Sequence, residues 1–478
     1  MTMNYEVTIG LEVHVQLKTR SKMFCGCSTA FGAGPNTQVC PVCLGYPGAL
    51  PVMNGEAIRY TVMAGLMLGC RISGYSKFDR KNYFYPDMPK NYQITQYDKP
   101  LCLGGAVEID VGGKTKTIRL TRIHLEEDVG KNMHFARTSG VDFNRAGVPL
   151  MEIVSEPDLA SPEEAQAYLL ALKQILLYAG VSECNLEQGN LRCDVNCSLR
   201  LPGATQLGTK AEIKNMNTFK GVFHAASAEI RRQTELLTAG ETIRQETLRY
   251  DPDLDVTVPM RSKEYAHDYR YFPEPDLLPV VLAPETIQGW ADQLPELPRQ
   301  RRERFVREYG LPEYDAQVLV ADKAVSDYFE ETARHSGNPK AASNWVMTEM
   351  LRQLSVQELD IGQVKITPRA LGELIRMADA QTINSNTARQ VFGILFAEGG
   401  DPARIVEERG WGQVSDNRVL EAAVDQVVSA NAKSVADFRA GKKPALQFLV
   451  GQVMKLTRGK ANPAMVQTML ERKLGSGA

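Results

Sequence analysis

With 478 residues, 43 % of them apolar, the chain exceeds what one hydrophobic core usually supports, which predicts two to three folded domains. No run approaches the ~20 apolar residues of a membrane span, and the opening MTMNYEVTIG has neither the basic nor the apolar stretch of a signal peptide, which predicts a cytoplasmic protein without a membrane segment. Nine cysteines, an odd number, exclude a complete disulfide framework and point to thiols and metal ligands, while the formal charge of −2 conceals a basic C-terminal end.

The first predicted element is a strand from Glu6 to Leu17. Val7, Ile9, Leu11, Val13, Val15 and Leu17 point one way and leave Glu6, Thr8, Glu12, His14 and Gln16 on the other face. Directly after it come Cys25, Cys27, Cys40 and Cys43, a CxC and a CxxC with twelve residues between them in a loop rich in Gly, Pro, Asn and Thr. That spacing lets four soft thiolates close a tetrahedron around Zn²⁺, and with every position filled by protein the metal is structural.

Further along, residues 120 to 126 set Arg122, His124 and Glu126 against Ile123 and Leu125. Glu126, Glu127 and Asp128 then supply hard oxygens, which with Glu12 and His14 resemble a Mg²⁺ site that keeps waters and takes further ligands from phosphate. Glu152 stands in GVPLMEIV, where an ionised carboxylate loses its hydration unless it is paired, hydrogen-bonded or bound to a cation. The alternative is a plain ion pair with Arg145 or Arg192.

Ser161, Pro162 and Glu164 make a capping box with proline at the first helical position, and Leu169, Leu172 and Leu176 carry that helix to Gly180. A further strand sets Asn190, Arg192, Asp194, Asn196 and Arg200 against Leu191, Cys193, Val195, Cys197 and Leu199, so Cys193 and Cys197 read as packing residues. Residues 210 to 214 set Lys210, Glu212 and Lys214 against Ala211 and Ile213, and a helix follows from about Phe219 to Gly240. Strands and helices do not alternate strictly, which favours an antiparallel or mixed sheet. Strands of this kind are often polar on one face merely because that face is wet. Here the polar positions hold Glu, His, Asp and Asn, with few of the Thr, Ser and Lys that dominate solvated strands.

Prolines between Pro273 and Pro298 precede a helical region that begins at RQRRERFVREYG, and GlyGlyAspPro at 399–402 marks a second boundary. The predicted domains are 1–292, 293–400 and 401–478. In the last, residues 431–478 carry nine Lys or Arg against Asp437 and Glu471, as a phosphate-contacting module does, although a solvated helix surface has the same look. Lys81, Lys90, Arg145, Arg192, Lys214 and Arg270 supply cations for phosphate or carboxylate in the first domain. GlyGlyLysThr at 112–115 is a decoy, because Glu108 stands where a Walker motif requires its first glycine.

The strings IGLEVHVQL, KMFCGCSTAFG, CPVCLGYPGALPV, KNYFYPDMPKNYQITQYD, LEEDVGK, DFNRAGVPLMEIVSEPD, RCDVNCSLR, EIKNMNTF and MRSKEYAHDYRYFPEPDL, with NWVMTEMLR and FLVGQVMKLTRGKANP further on, span nearly the whole chain. They resemble the GatB family, the B subunits of aspartyl/glutamyl-tRNA amidotransferases. The resemblance implies an α+β cradle with a mixed antiparallel sheet, similar to glutamine synthetase and guanidino kinases, then a helical domain and a small helical tail that touches tRNA. It implies a ligase that uses ATP to phosphorylate the side-chain carboxylate of Glu on tRNA(Gln), or Asp on tRNA(Asn), before ammonia displaces phosphate. It places Glu12, His14, Glu126 and Glu152 around magnesium, with Glu127 and Asp128 as competitors, and Arg192 and Lys214 among the catalytic groups. Arg145, Lys81 and Lys90 bind cofactor in this reading, and Lys81, Lys90, Asp194 and Arg192 line an ammonia route. Lys442, Lys443, Lys455, Arg458 and Lys460 meet the tRNA backbone. No Gly-Ser-rich amidase signature occurs, so ammonia comes from a partner: an amidase-family A subunit, with a small C subunit completing the assembly. A stand-alone metabolite kinase and a zinc-stabilised RNA-binding scaffold are the competing readings.

Overall fold

Alternation along the first strand decides the architecture. In β1 (Glu6–Gln16) Ile9, Leu11, Val13 and Val15 are buried in the core, while Glu12, His14 and Gln16 face the other way. The computed structural model describes residues 5–260, 269–412, 417–457 and 461–475, and the chain forms two compact units, Met1–Leu297 and Pro298–Ala478.

Among its described residues the first unit is built on a 13-stranded sheet. Its centre comprises β1, β2 (Asp79–Asn82), β3 (Tyr92–Thr95), β4 (Lys114–Glu127), β5 (Pro149–Ser155), β6 (Leu191–Arg200) and β7 (Ala211–Met216), in the spatial order β7-β6-β1-β5-β4-β3-β2. These neighbours are antiparallel, but β7 pairs in parallel with Thr247–Asp251, which makes the sheet mixed. The strand expected at 120–126 is longer than predicted, because its N-terminal half pairs with Ala106–Val111 in a hairpin closed by Gly112 and Gly113.

Helices α1 (Gly55–Met67), α2 (Pro162–Ala179) and α3 (Phe219–Thr238) contribute to the same apolar core as the inward face of the sheet. Each starts at a side-chain cap: Asn54 accepts from Glu56 N and Ala57 N, Ser161 from Glu164 N, and Thr218 from Gly221 N. Gly180 ends α2 in the left-handed conformation with φ 66°. Tyr168, Leu169, Leu172 and Leu176 of α2 are buried against the strands, each contributing roughly 1.5–3 kcal/mol. Packing the helices on one face leaves the charged face free for a cavity.

An ion pair fixes β2 in place. Arg80 donates to both oxygens of Glu274, at 2.7 Å each, and its guanidinium lies 4.3 Å from the centroid of the Tyr92 ring. Since the Glu274 side chain is wholly buried, Arg80→Met leaves a carboxylate without compensation, at a cost of about 3–5 kcal/mol. Calorimetry should show an earlier first unfolding transition, and adding Glu274→Gln should recover part of the loss. Full stability in Arg80→Met alone would refute this.

The second unit is helical. One apolar cluster runs from Phe305 to Val406 and another from Leu420 to Leu474. A π-helical turn, Val346–Met350, interrupts the helical run within NWVMTEMLR. No helix among the described residues is long and apolar enough to cross a membrane.

Candidate functional site

Register brings the charged residues into rows. His124 of β4 lies opposite Glu152 of β5, Glu152 opposite His14 of β1, and His14 opposite Arg192 of β6. Opposed residues share a face, so four strands deliver one continuous line of side chains. Glu126, two residues beyond His124 on the same face, completes the centre. A donor atom from each of His14, Glu126 and Glu152 lies within 4.8 Å of the others. His14 Nε2 stands 3.4 Å from Glu152 Oε2 and 3.9 Å from Glu126 Oε1.

These residues line a cavity of about 230 Å³ together with Glu12, Lys81, Tyr83, Asp128, Arg192, Asp194 and Lys214. Glu12 stands in a second acidic group with Asp194 and Glu212, rather than in the His14 triad. A register shift between Cys193 and Val195 explains the second group: the irregularity sets Asp194 against Lys214 and Asn215. Asn215, at φ 62°, donates its N–H to Asp194 Oδ1 at 2.8 Å, and Lys214 Nζ lies 2.7 Å from Asp194 and 2.6 Å from Glu212.

Arginines pair elsewhere than with Glu152. Arg192 Nη2 lies 2.8 Å from Asp128 Oδ2, and Gln16 donates to the same oxygen at 2.7 Å. Arg145 Nε is 3.7 Å from Asp128 and donates to the Val129 carbonyl, while Arg145 Nη2 donates to that of Gly130. The plain ion pair of Glu152 with Arg145 or Arg192 is therefore replaced by two imidazoles, since His124 Nε2 also lies 3.6 Å from Glu152. Glu127 belongs to another cavity: its carboxylate is 2.6 Å from Lys90 Nζ and accepts from Ile94 N at 3.0 Å. Lys81 Nζ rests 4.8 Å from the Tyr269 ring centroid.

Electrostatics sharpen the division of roles. Burial opposes the charge of Glu152, but His124 and His14 hold its carboxyl well below the usual range. Burial, then the charge of Glu152, pushes Glu126 up to about 7. For His14 burial works downward, yet Glu152 and Glu126 overcome it and raise the imidazole to about 9. Burial brings His124 down to about 4, so it is neutral. At neutral pH a proton on His14 thus occupies the place of a cation beside the ionised Glu152 and a half-protonated Glu126. Two oxygen ligands, one imidazole and open positions suit Mg²⁺ or Mn²⁺.

A divalent ion bound there must expel that proton, and the sign follows. With raised pKa values in the metal-free protein, Mg²⁺ affinity should increase with pH, by about tenfold per unit near pH 8, where His14 is the main group giving up a proton, and level off above about pH 9. Calorimetry in buffers of different ionisation enthalpy would count the protons. An affinity flat across that window would remove His14 from the ligand set.

The four cysteines also converge, each offering an Sγ within 4.8 Å of the rest. Hydrogen bonding from Cys25 is the largest influence lowering the Cys43 thiol to about 4, and Lys22 adds to it. A stabilised thiolate among three more sulfurs is the donor set Zn²⁺ prefers.

In the second unit, Lys442, Lys443 and Lys455 are exposed, and Lys442 Nζ bonds Asp437 at 2.9 Å. Arg458 and Lys460 lie outside the described residues, as do residues 261–268 within MRSKEYAHDYRYFPEPDL. His124, Gln16, Tyr83 and Lys22 had no predicted role. For His124 and Gln16 the signal was available, since each stands two residues from a predicted ligand on the same strand face.

Residues 7–288 match the family model described as GatB/GatE catalytic domain, and residues 327–474 that described as GatB domain. The chain is 54 % identical over 469 residues to the B subunit of the aspartyl/glutamyl-tRNA(Asn/Gln) amidotransferase of Thermodesulfovibrio yellowstonii, covering 98 % of this chain and 99 % of that one. The protein of the same name from Caldanaerobacter subterraneus is 53 % identical over 473 residues, and that from Trichlorobacter lovleyi 51 % over 473, each match covering 99 % of this chain and 100 % of the relative.

Proposed function

The chain belongs to the GatB family of aspartyl/glutamyl-tRNA(Asn/Gln) amidotransferase B subunits, ligases that form Gln-tRNA(Gln) and Asn-tRNA(Asn), and from that premise we propose how its residues divide the work. The first unit activates the side-chain carboxylate of Glu-tRNA(Gln) or Asp-tRNA(Asn) with ATP and then amidates it. A carboxylate resists ammonia because oxide leaves poorly, whereas phosphate leaves readily from an acyl phosphate. His14, Glu126 and Glu152 hold Mg²⁺, with Glu12 and Asp128 at the margin of that site. When bound, the ion offsets charge on the nucleotide phosphates. Lys81, Arg192 and Lys214 steady the phosphoryl oxygens and orient the substrate carboxylate. Lys90 and Glu127 border the way by which ammonia enters.

The observation that carries this reading is the convergence of three donor groups in a cavity that also holds Lys81, Arg192 and Lys214. A sheet with helices on one face and charges on the other is what a glutamine-synthetase-like or guanidino-kinase-like cradle requires. The division 1–292, 293–400 and 401–478 gives a catalytic cradle with a zinc knuckle at 25–43, a helical spacer and a tRNA-binding tail. Lys442, Lys443, Lys455, Arg458 and Lys460 of the tail contact tRNA phosphates, an attraction that weakens with salt. An amidase-family A subunit supplies ammonia, a small C subunit completes a heterotrimer, and the assembly works in the cytoplasm.

Purified complex should release ADP only when misacylated tRNA, ATP and Mg²⁺ are all present. Equal release with free glutamate would favour a metabolite kinase. Intact tRNA binding with no ADP release under any condition would favour a scaffold.

A further inference from the structure

Lys22 is wholly buried, and its ammonium has no carboxylate partner among the described residues. Its Nζ donates to Cys43 Sγ at 3.6 Å and to the Phe143 carbonyl at 3.2 Å. Its backbone N–H donates to the Cys27 carbonyl at 3.0 Å, so the residue grips the cysteine cluster at both ends. Gly147 packs against the pair with φ +86°, a conformation that favours glycine, and takes the Met23 N–H at 2.7 Å.

A buried ammonium costs several kcal/mol unless an anion offsets it. Among the described residues, the candidate beside Lys22 is sulfur. A lone Cys43 thiolate offers one negative charge, whereas four thiolates around one divalent ion carry two net negative charges. We propose that Lys22 is the buried counter-charge of the four-cysteine metal site, a positioning residue that keeps Cys43 as a ligand and sets how firmly the metal is retained. This rests on the reading of the cysteines as a zinc site. By donating to Cys43 Sγ, the ammonium draws electron density from that sulfur and makes it less reactive toward electrophiles.

The test uses the full chain in complex with its partners. Lys22→Met keeps the aliphatic stem and removes the charged end, and Lys22→Gln keeps an N–H donor one atom nearer the backbone. Zinc per chain, zinc release to a chromogenic chelator and the sulfur-to-metal charge-transfer band of the cobalt-substituted protein are measured. Both variants should release zinc about ten- to a hundredfold faster than the parent, and the cobalt band should move to longer wavelength. Should Lys22→Met fail to fold, Lys22→Gln gives the same readouts with the charge lost and a polar end kept. Unchanged release and an unchanged band in a folded variant would overturn the proposal for Lys22. A parent protein purified under reducing conditions without zinc would instead overturn the zinc reading itself.

Discussion

Glu152→Gln should reduce ADP release and amide formation by roughly 10²–10³-fold, the cost of removing one well-placed electrostatic group from an enclosed site. The substitution keeps volume and one oxygen while abolishing the charge that both imidazoles face, at 3.4 Å for His14 and 3.6 Å for His124. Without it, His14 loses the strongest reason to hold a proton, and a divalent ion loses its most acidic ligand. Affinity for tRNA should stay within about twofold, because counter-ion release is governed by lysines and arginines that the change leaves untouched. Single-turnover ADP assays and filter binding on the same preparation separate the two effects. Glu127→Gln is the contrasting case: its partner is Lys90 rather than the triad, so its effect should appear in stability before it appears in magnesium dependence. Activity above a third of the parent in Glu152→Gln would end the magnesium assignment.

Cys43→Ala should abolish zinc binding at the four-cysteine cluster and lower the stability of the first unit. Structural zinc sites of this donor type contribute on the order of 10 kcal/mol of apparent binding free energy, which is folding free energy when the site exists only in the native state. Loss of Cys43 removes a ligand and takes from buried Lys22 one of its two acceptors, so the effects compound. Elemental analysis should find no metal, and the first calorimetric transition should fall by more than 10 °C, on the order of what several kcal/mol produce in a domain of this size. Cys193→Ala, a core packing change, should keep full zinc. A Cys43→Ala chain that retained one zinc would refute the assignment.

Much of this was legible because it depended on local rules. The two faces of β1, the cap at Ser161 with Gly180 at the other end, the cysteine spacing and the anomalous Glu152 among apolar neighbours can all be read from short windows. What stayed hidden depended on pairing between distant segments. Glu12 leaves the His14 triad for Asp194 and Glu212, partners contributed by β6 and β7 across a shifted register. Glu126 and Glu127 look equivalent in LEED, yet consecutive strand residues face opposite ways and end in different cavities. Arg192 was a candidate partner for Glu152 and holds Asp128 instead. Lys22 gave no sign at all, since a lysine between Ser21 and Met23 reads as ordinary surface until the fold closes over it.

The row His124, Glu152, His14, Arg192 depends on the same alignment that hides Val13 and Val15. If β1 slipped by a single residue, Glu12 and His14 would enter the oily layer beneath the helices and a valine would stand in the cavity. Greasiness on one side thus proofreads chemistry on the other. A damaged molecule forfeits its shape before it can hold a mis-set active centre, so errors in this enzyme should surface as scarcity of protein rather than as wrongly made product.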